Sequence, residues 1–209
     1  MKPIIFHVEA AGEFRPVELT FADEAEVRRV RAWRKMTPAT DAGEFAALAA
    51  KRWFYYTREG ATVASLDEMR AAIRRNKRAE LAFLLVASAE WAKRSKFLAL
   101  AYCRRSWCHH LVLDFLAVRP GLTFAGQPIS GVGSGILSAL MGLADSLGME
   151  TMWGEATASS ASFYEKVLKI RPVQDLFIIR RDMMRDIAQR YFARQQPRLA
   201  KDGEKEQIP

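Results

Sequence analysis

Three apolar runs of strand length follow one another between residues 81 and 120: "LAFLLVAS" (81–88), "KFLALAYC" (96–103) and "HLVLDFLAVRP" (110–120). Charged or polar turns separate them, so they are predicted to pair as an antiparallel meander. Pro120-Gly121 closes the last run. After a loop of ordinary length comes "SGVGSGIL" (130–137), with Gly131, Gly133 and Gly135 at alternate positions, and a helix is predicted over 135–147. "METMWGEAT" (149–157) then reads as a further strand. A strand, a glycine turn, a helix and a strand in that order require a crossover, so part of the sheet must be parallel. The class that follows is α/β, with a mixed, mostly antiparallel central sheet and flanking helices.

The rest of the chain fits around that frame. "KPIIFHVEAAGEFRPVELTF" reads as a hairpin turning at Ala11-Gly12. Three helix starts follow, each with an acid three residues after a capping side chain: Asp23 with Glu26, Asp41 with Glu44, and Ser65 with Glu68. The first helix should bury Val27 and Val30, with Trp33 a further candidate. The second should bury Phe45, Leu48, Ala49 and Trp53, and the third Met69, Ala72 and Ile73. Gly148 is placed for a left-handed helix end. "SSASFYEKVL" (159–168) reads as a short helix, "QDLFIIRR" (174–181) as a strand and 182–195 as a helix. The Met184, Ile187 and Tyr191 face of that helix could pack on the domain or on a second subunit as a homodimer. With 209 residues, half of them apolar, the expectation is one domain over 1–195 and a disordered polar tail over 196–209. No apolar run approaches the ~20 residues of a membrane helix, and the two cysteines suit a reducing compartment. A cytoplasmic protein with no membrane association is expected.

"CRRSWCHH" (103–110) brings Cys103, Cys108, His109 and His110 together. All four crowd one predicted hairpin, and adjacent histidines on a strand point to opposite faces. Zinc sites usually separate their ligand pairs, so no metal is expected.

The net charge of +8 is local. Residues 70–119 hold eleven basic residues (Arg70, Arg74, Arg75, Lys77, Arg78, Lys93, Arg94, Lys96, Arg104, Arg105, Arg119) against Glu80, Glu90 and Asp114. Such an excess can attract a polyanion, or it can simply be a solvated face. Nucleic acid is the less favoured partner, because no known nucleic-acid-binding motif accompanies the charge.

The glycine stretch is a phosphate-loop candidate. A Walker loop needs G-x-x-x-x-G-K-[ST], but no lysine lies between Lys96 and Lys166. A dinucleotide fingerprint needs G-x-G-x-x-G, yet the sixth position from Gly131 is Ile136 and from Gly133 is Ser138. What remains, G-x-G-x-G at a helix start, offers unobstructed backbone amides at the positive end of a helix dipole. That suits a pyrophosphate, or else a structural turn.

The ordered set "LVLDFLAVRP", "SGVGSGILSALMGLA", a strand and "SASFYEKV" resembles the GCN5-related N-acetyltransferase family over about residues 80–181, and more weakly in "FRPVELTFADEAEVRRV" at the front. The family pairs an L-A-V-x-P strand with a [RQ]-x-x-G-x-[GA] loop and an F-Y-E-K helix. The resemblance implies acetyl-CoA or another acyl-CoA as co-substrate, an amine acceptor that is a small molecule or a peptide, and direct attack in a ternary complex. It implies thioester polarisation by the backbone of Leu116, Ala117 and Val118. It places pyrophosphate along Ser130, Gly131, Val132, Gly133, Ser134, Gly135 and Ile136, further cofactor contacts at Ser160 and Phe163, and a proton donor to the thiolate at Tyr164, which could equally be a core aromatic beside Phe163. The chain departs from the pattern in four places. Ser130 replaces Arg or Gln, the loop before Gly131 is longer, Thr157, Ser159 or Ser160 stands in for an asparagine, and "VLKI" replaces L-G-F.

The base is open between two acids. Strand alternation puts His110, Val112, Asp114, Leu116 and Val118 on one face, and Asp114 is an acid in an apolar strand, where a carboxylate must be paired or used. Glu155 lies near the C-terminal end of the next strand, where ligands bind in such sheets. Either could be a structural acceptor, and His110 is a third candidate. The front helices and the 120–130 loop are expected to line the acceptor's pocket. A binding module without catalysis and a nucleic-acid binder are the rival classes.

Overall fold

A computed structural model describes residues 3–36, 40–93 and 96–205, with side chains described to residue 195. The hairpin β1 (Ile4–Ala10) and β2 (Glu13–Phe21) turns at Ala11 and Gly12, both at positive φ. That is the turn whose twist matches a two-residue hairpin. Helix α1 (Glu24–Arg31), a 3-10 turn (Ala32–Lys35), α2 (Asp41–Arg58) and α3 (Leu66–Arg75) follow. The meander is β3 (Leu81–Ser88), β4 (Phe97–Arg105) and β5 (Leu111–Val118). A small hairpin, β6 (Thr123–Phe124) with β7 (Gln127–Pro128), leads to α4 (Val132–Ser146). Strand β8 (Thr151–Glu155), α5 (Ala161–Leu168), β9 (Leu176–Arg180) and α6 (Arg181–Lys205) complete the chain. The backbone of α6 runs past the residue-195 limit expected from sequence, and 206–209 lie outside the described residues.

Seven strands form one sheet in the order β1-β2-β3-β4-β5-β8-β9. Only β5–β8 is parallel, as the crossover through α4 requires. Each face has its own core. Phe6, Phe83, Leu113, Ile136, Tyr164 and Phe177 meet on the face covered by α3, α4, α5 and α6. Val30, Trp53, Leu84, Leu100 and Tyr102 meet on the face covered by α1 and α2.

Several expectations are corrected. The capping box at Asp23 forms as read, with both reciprocal bonds present. Ser65 caps α3 by accepting from the Glu68 amide. The cap of α2 is Thr40, one residue before Asp41; its Oγ1 accepts from the Gly43 amide, while Glu44 turns away to pair with Arg34. Helix α2 also buries a narrower stripe than expected: Gly43, Ala46, Ala49, Ala50 and Trp53. A Cβ on Gly43 would stand 3.0 Å from the Trp33 carbonyl oxygen, so the helix docks too closely for large side chains there. Leu48 consequently lies off the stripe and is exposed. Helix α4 begins at Val132, three residues earlier than predicted, which draws the glycines into its first turns.

The largest correction concerns β5. Tyr102 pairs with Phe115 but Cys103 pairs with Leu113, so Asp114 is an extra residue in a β-bulge. A bulge shifts the alternation by one. Asp114 therefore shares the α2 face with Arg104, while Leu116 and Val118 pack with the core on the α4 face. The single shared face expected for Asp114, Leu116 and Val118 does not exist.

The 120–130 loop packs against the β2 side of the sheet. The Phe124 ring stacks edge-on to Trp91 with Arg15 over both rings, and Trp91 Nε1 donates to the Pro16 carbonyl. This docks the β6–β7 hairpin beside β2.

Candidate active site

The sheet opens between β5 and β8. Their pairing covers only Leu111–Met152, Val112–Trp153 and Leu113–Gly154. Beyond the bulge at Asp114, β5 keeps β4 on one side and has no partner among the described residues on the other. The Arg119 amide donates to Leu98 of β4 at 2.8 Å. Successive amides alternate in direction along a strand, so the Val118 and Leu116 amides point into the gap. The Ala117 amide points toward β4, and its side chain is buried on the α2 face.

On the α4 face a cleft of about 720 Å³ lies among β1, the start of α4, α5 and α6. That is the size of an ordinary small-ligand site. The start of α4 forms its floor. Gly131 caps the helix at φ 89° without a side-chain cap, and the first helical bond joins the Gly135 amide to the Gly131 carbonyl at 2.9 Å. The amides of Val132, Gly133 and Ser134 thus have no partner within the helix. They point along the positive end of its dipole. Gly133 keeps this floor low: a Cβ there would stand 3.2 Å from the Phe163 ring and 3.7 Å from Val118. Phe163 therefore sits where the cleft, α4 and the β5 edge meet.

The other nominated residues divide. Ser134 and Phe163 line the cleft. Ser130 lines it too, but its amide and carbonyl are paired with Glu9 of β1 at 2.9 and 3.1 Å, so only its side chain is free for a ligand. Gly135 serves packing instead, since a Cβ would stand 2.2 Å from the Phe6 ring. The side chains of Val132 and Ile136 are core. The Ser160 hydroxyl is engaged by its own turn, accepting from the Thr157 amide at 2.9 Å.

Sequence reading missed the walls of the cleft. Lys166 of α5, Lys169 at its C-terminal cap, and Arg190 and Arg194 from α6 line it. None of the four lies near the glycines in sequence, and none belongs to the basic 70–119 segment. Helix α6 reaches the site because Gln195, 8% exposed, bonds both the amide and the carbonyl of His7 on the β1 edge, and Tyr191 donates to the same carbonyl. Asp145 of α4 accepts from Arg181 and Arg185 of α6, both at 2.8 Å. Their guanidiniums hold its carboxyl down at about 2, Arg185 first. Ser138 also lines the cleft, 1% exposed and with no hydrogen-bond partner for its hydroxyl among the described residues. A buried unpaired hydroxyl is costly and gives a ligand in the cleft something to bind.

Tyr164 stands on the same face, 6% exposed, with its ring 4.5 Å from Phe177 and 5.2 Å from Phe163. Burial, aided by nearby Cys103, pushes its hydroxyl up to about 12. The two nominated acids lie on the opposite face. Both oxygens of Asp114 are taken: Oδ2 accepts from Arg104 Nε at 2.7 Å, and Oδ1 from Arg104 Nη2 at 2.9 Å and Arg52 Nη1 at 2.7 Å. The Asp114 carboxylate in turn raises the affinity of Arg104 for its proton. Glu155 is exposed, and its carboxylate has no hydrogen bond or ion pair among the described residues. By alternation with Trp153 it projects on the α2 face, across the gap from Asp114.

The "CRRSWCHH" segment is divided by its hairpin. Cys103 is in the core and Cys108 in the exposed turn. His109 accepts from Arg105 at Nδ1 and meets the Leu147 carbonyl at Nε2. The basic 70–119 segment is not one surface either. Arg105 is 1% exposed on the carbonyls of Lys77 and Ala79, and Arg104 is bound to Asp114 and Glu80. Arg94 lies outside the described residues.

No protein-family model and no curated protein matches the chain. Solved structures do. A GNAT family N-acetyltransferase, YhbS from Escherichia coli in complex with CoA, overlaps 88% of this chain and 87% of its own at 10% identity and a TM-score of 0.48. A spermidine N-acetyltransferase chimera from Vibrio cholerae overlaps 80% and 97% at 9% identity and a TM-score of 0.49. The structures this chain is similar to are N-acetyltransferases. Nourseothricin acetyltransferase matches at 19% identity and a TM-score of 0.33; there the chain spans about half of its relative's length, 48%.

Proposed function

We propose that the protein is an N-acyltransferase that uses acetyl-CoA, or another acyl-CoA, to acylate an amine by direct attack in a ternary complex. The observation that carries this reading is the start of α4, which borders the cleft and at Gly133 meets both Phe163 and Val118 of the β5 edge. Three unpartnered helix amides, walled by Lys166, Lys169, Arg190 and Arg194, lie beside two strand amides that point into an opening through the sheet. The first group suits a pyrophosphate and further phosphate charge. The second suits the oxygen of a polarised carbonyl.

Bound there, acetyl-CoA would supply an activated acyl group. The Val118 and Leu116 amides hold the carbonyl oxygen. Tyr164 is the donor proposed for the leaving thiolate; burial raises its hydroxyl to about 12, which keeps the proton in place at neutral pH and leaves its transfer to be driven by the thiolate forming beside it. Glu155 is the acid free to take a proton from the attacking amine. Asp114, held by two guanidiniums, is a positioning residue for Arg52.

Thermal melting with acetyl-CoA tests the cradle. Saturating ligand at a hundredfold excess over Kd should add about 2.7 kcal/mol, roughly 5–10 °C in Tm for a domain of this size. No shift with any acyl-CoA overturns the reading. A shift without thiol release from any amine would reduce the protein to a binding module.

A further inference from the structure

The α2 face of the gap has a pocket of its own, about 480 Å³, lined by Leu48, Lys51, Arg52, Tyr55, Tyr56, Arg58 and Arg104. Its place follows from the network beneath it. Arg52 and Arg104 converge on Asp114, the residue at which β5 parts from β8. Arg52 also lies over the Phe115 ring at 5.2 Å. The pocket therefore borders the point where β5 parts from β8, on the face across the sheet from the cleft.

Its charge is one-sided. Four of the seven lining residues are cationic and none is acidic. Asp114 and Glu80 lie behind them and are consumed by Arg52 and Arg104. Tyr56 donates its hydroxyl to Glu80, which lowers the Glu80 carboxyl, and this fixes the phenol as part of the wall. Lys51 and Arg58 have no ion-pair partner among the described residues. Both lie on α2, seven positions apart, with Tyr55 between them and half exposed at 52%. Two uncompensated cations with aromatic rings and Leu48 beside them repel a polyamine. They attract an anion with an apolar or planar portion.

We propose that this pocket takes the acyl acceptor and selects an amine that also carries a carboxylate or a phosphate group. The proposal rests on the transferase reading for the word acceptor, but not for the pocket's choice of charge. Lys51 and Arg58 hold the acidic group, and Arg52 holds its orientation from Asp114. The amine is left free to reach through the gap toward the α4 face.

Two measurements keep the choice of charge separate from the transfer. The first is calorimetric titration of the intact protein with glutamate, phosphoethanolamine and spermidine, without acyl-CoA, repeated for the Lys51→Ala/Arg58→Ala variant. The expected result is tighter binding of glutamate or phosphoethanolamine than of spermidine, and a roughly tenfold loss in the variant, two modest charge interactions removed together. Which of the two anions binds more tightly identifies the acidic group as carboxylate or phosphate. Spermidine binding as well as or better than both, no binding of any of the three, or an anion affinity unmoved by the variant each overturns the proposal. The second is acetyl-CoA-dependent thiol release with the same amines. Selective release with the anionic amine, converted by Lys51→Glu/Arg58→Glu to a preference for spermidine, supports it. Release with spermidine alone overturns it. If no amine gives release while the anion still binds, the transferase reading fails and the pocket's selectivity stands.

Discussion

The two mouths of the β5–β8 gap are built from different materials. On the α4 side the polar groups nearest the opening are backbone amides: Val132, Gly133 and Ser134 at the helix start, and Leu116 and Val118 on the strand. On the α2 side they are side chains: Arg52, Arg104, Asp114 and Glu155. Backbone donors depend on main-chain geometry and tolerate almost any sequence that keeps it. Side-chain donors change with every substitution. A constant ligand can be held by the first kind of site, and a particular acceptor must be chosen by the second.

Four variants test that division, taken from the largest expected effect down. Gly135→Ala forces a Cβ to within 2.2 Å of the Phe6 ring. The fold should lose about 3 kcal/mol, read as a lowered denaturation midpoint. If the variant instead melts normally and loses only acetyl-CoA affinity, Gly135 belongs to the cradle and not to the core. Tyr164→Phe should slow turnover about a hundredfold while the acetyl-CoA-induced rise in Tm persists. Unchanged turnover would remove the tyrosine from the chemistry. Arg190→Ala with Arg194→Ala should weaken acetyl-CoA about tenfold, as expected when exposed charges are removed from phosphates, and should barely affect a ligand lacking the phosphates.

The smallest effect concerns the lock that holds α6 over the cleft. The Asp145 carboxyl lies near 2 in the folded protein against an ordinary 3.8. A depressed carboxyl contributes stability that is present above about pH 4 and is lost as pH falls toward 2. Solvent screens this site, so the contribution is about 0.5 kcal/mol. Asp145→Asn should therefore lower Tm slightly at pH 7 and flatten the decline between pH 4 and 2. A decline as steep as in the parent protein would place the acid sensitivity elsewhere.

The residues that lay adjacent in sequence were the legible ones. The apolar runs at 81–88, 96–103 and 110–120 became β3, β4 and β5. The order of strand, glycines, helix and strand pointed to the parallel β5–β8 pair, because a four-turn helix laid back along the sheet returns the chain to the end where β5 began; the shorter α5 between β8 and β9 leaves an antiparallel pair. Gly148 takes φ 72° where a left-handed helix end was expected. The small residues Gly131, Gly133 and Ser134 at the start of α4 were likewise visible, since a helix start with small residues exposes its own amides. No helix among the described residues is long and apolar enough to cross a membrane.

What tertiary structure alone decided is where distant residues meet and which way a strand faces after an irregularity. A bulge of one residue is invisible in an alternating pattern, yet at Asp114 it turns an expected neighbour of Val118 to the opposite face. The cations of the cleft come from α5, its C-terminal cap and α6, and those of the second pocket from α2 and β4. Their local sequences mark each only as exposed charge on a helix or an arginine in a strand. Solvation and helical spacing settle which side of a helix is wet, and a sequence records that. Which other wet side it faces depends on the packing of Phe6 under Gly135 and of Gln195 on the edge of β1, contacts between residues more than a hundred positions apart.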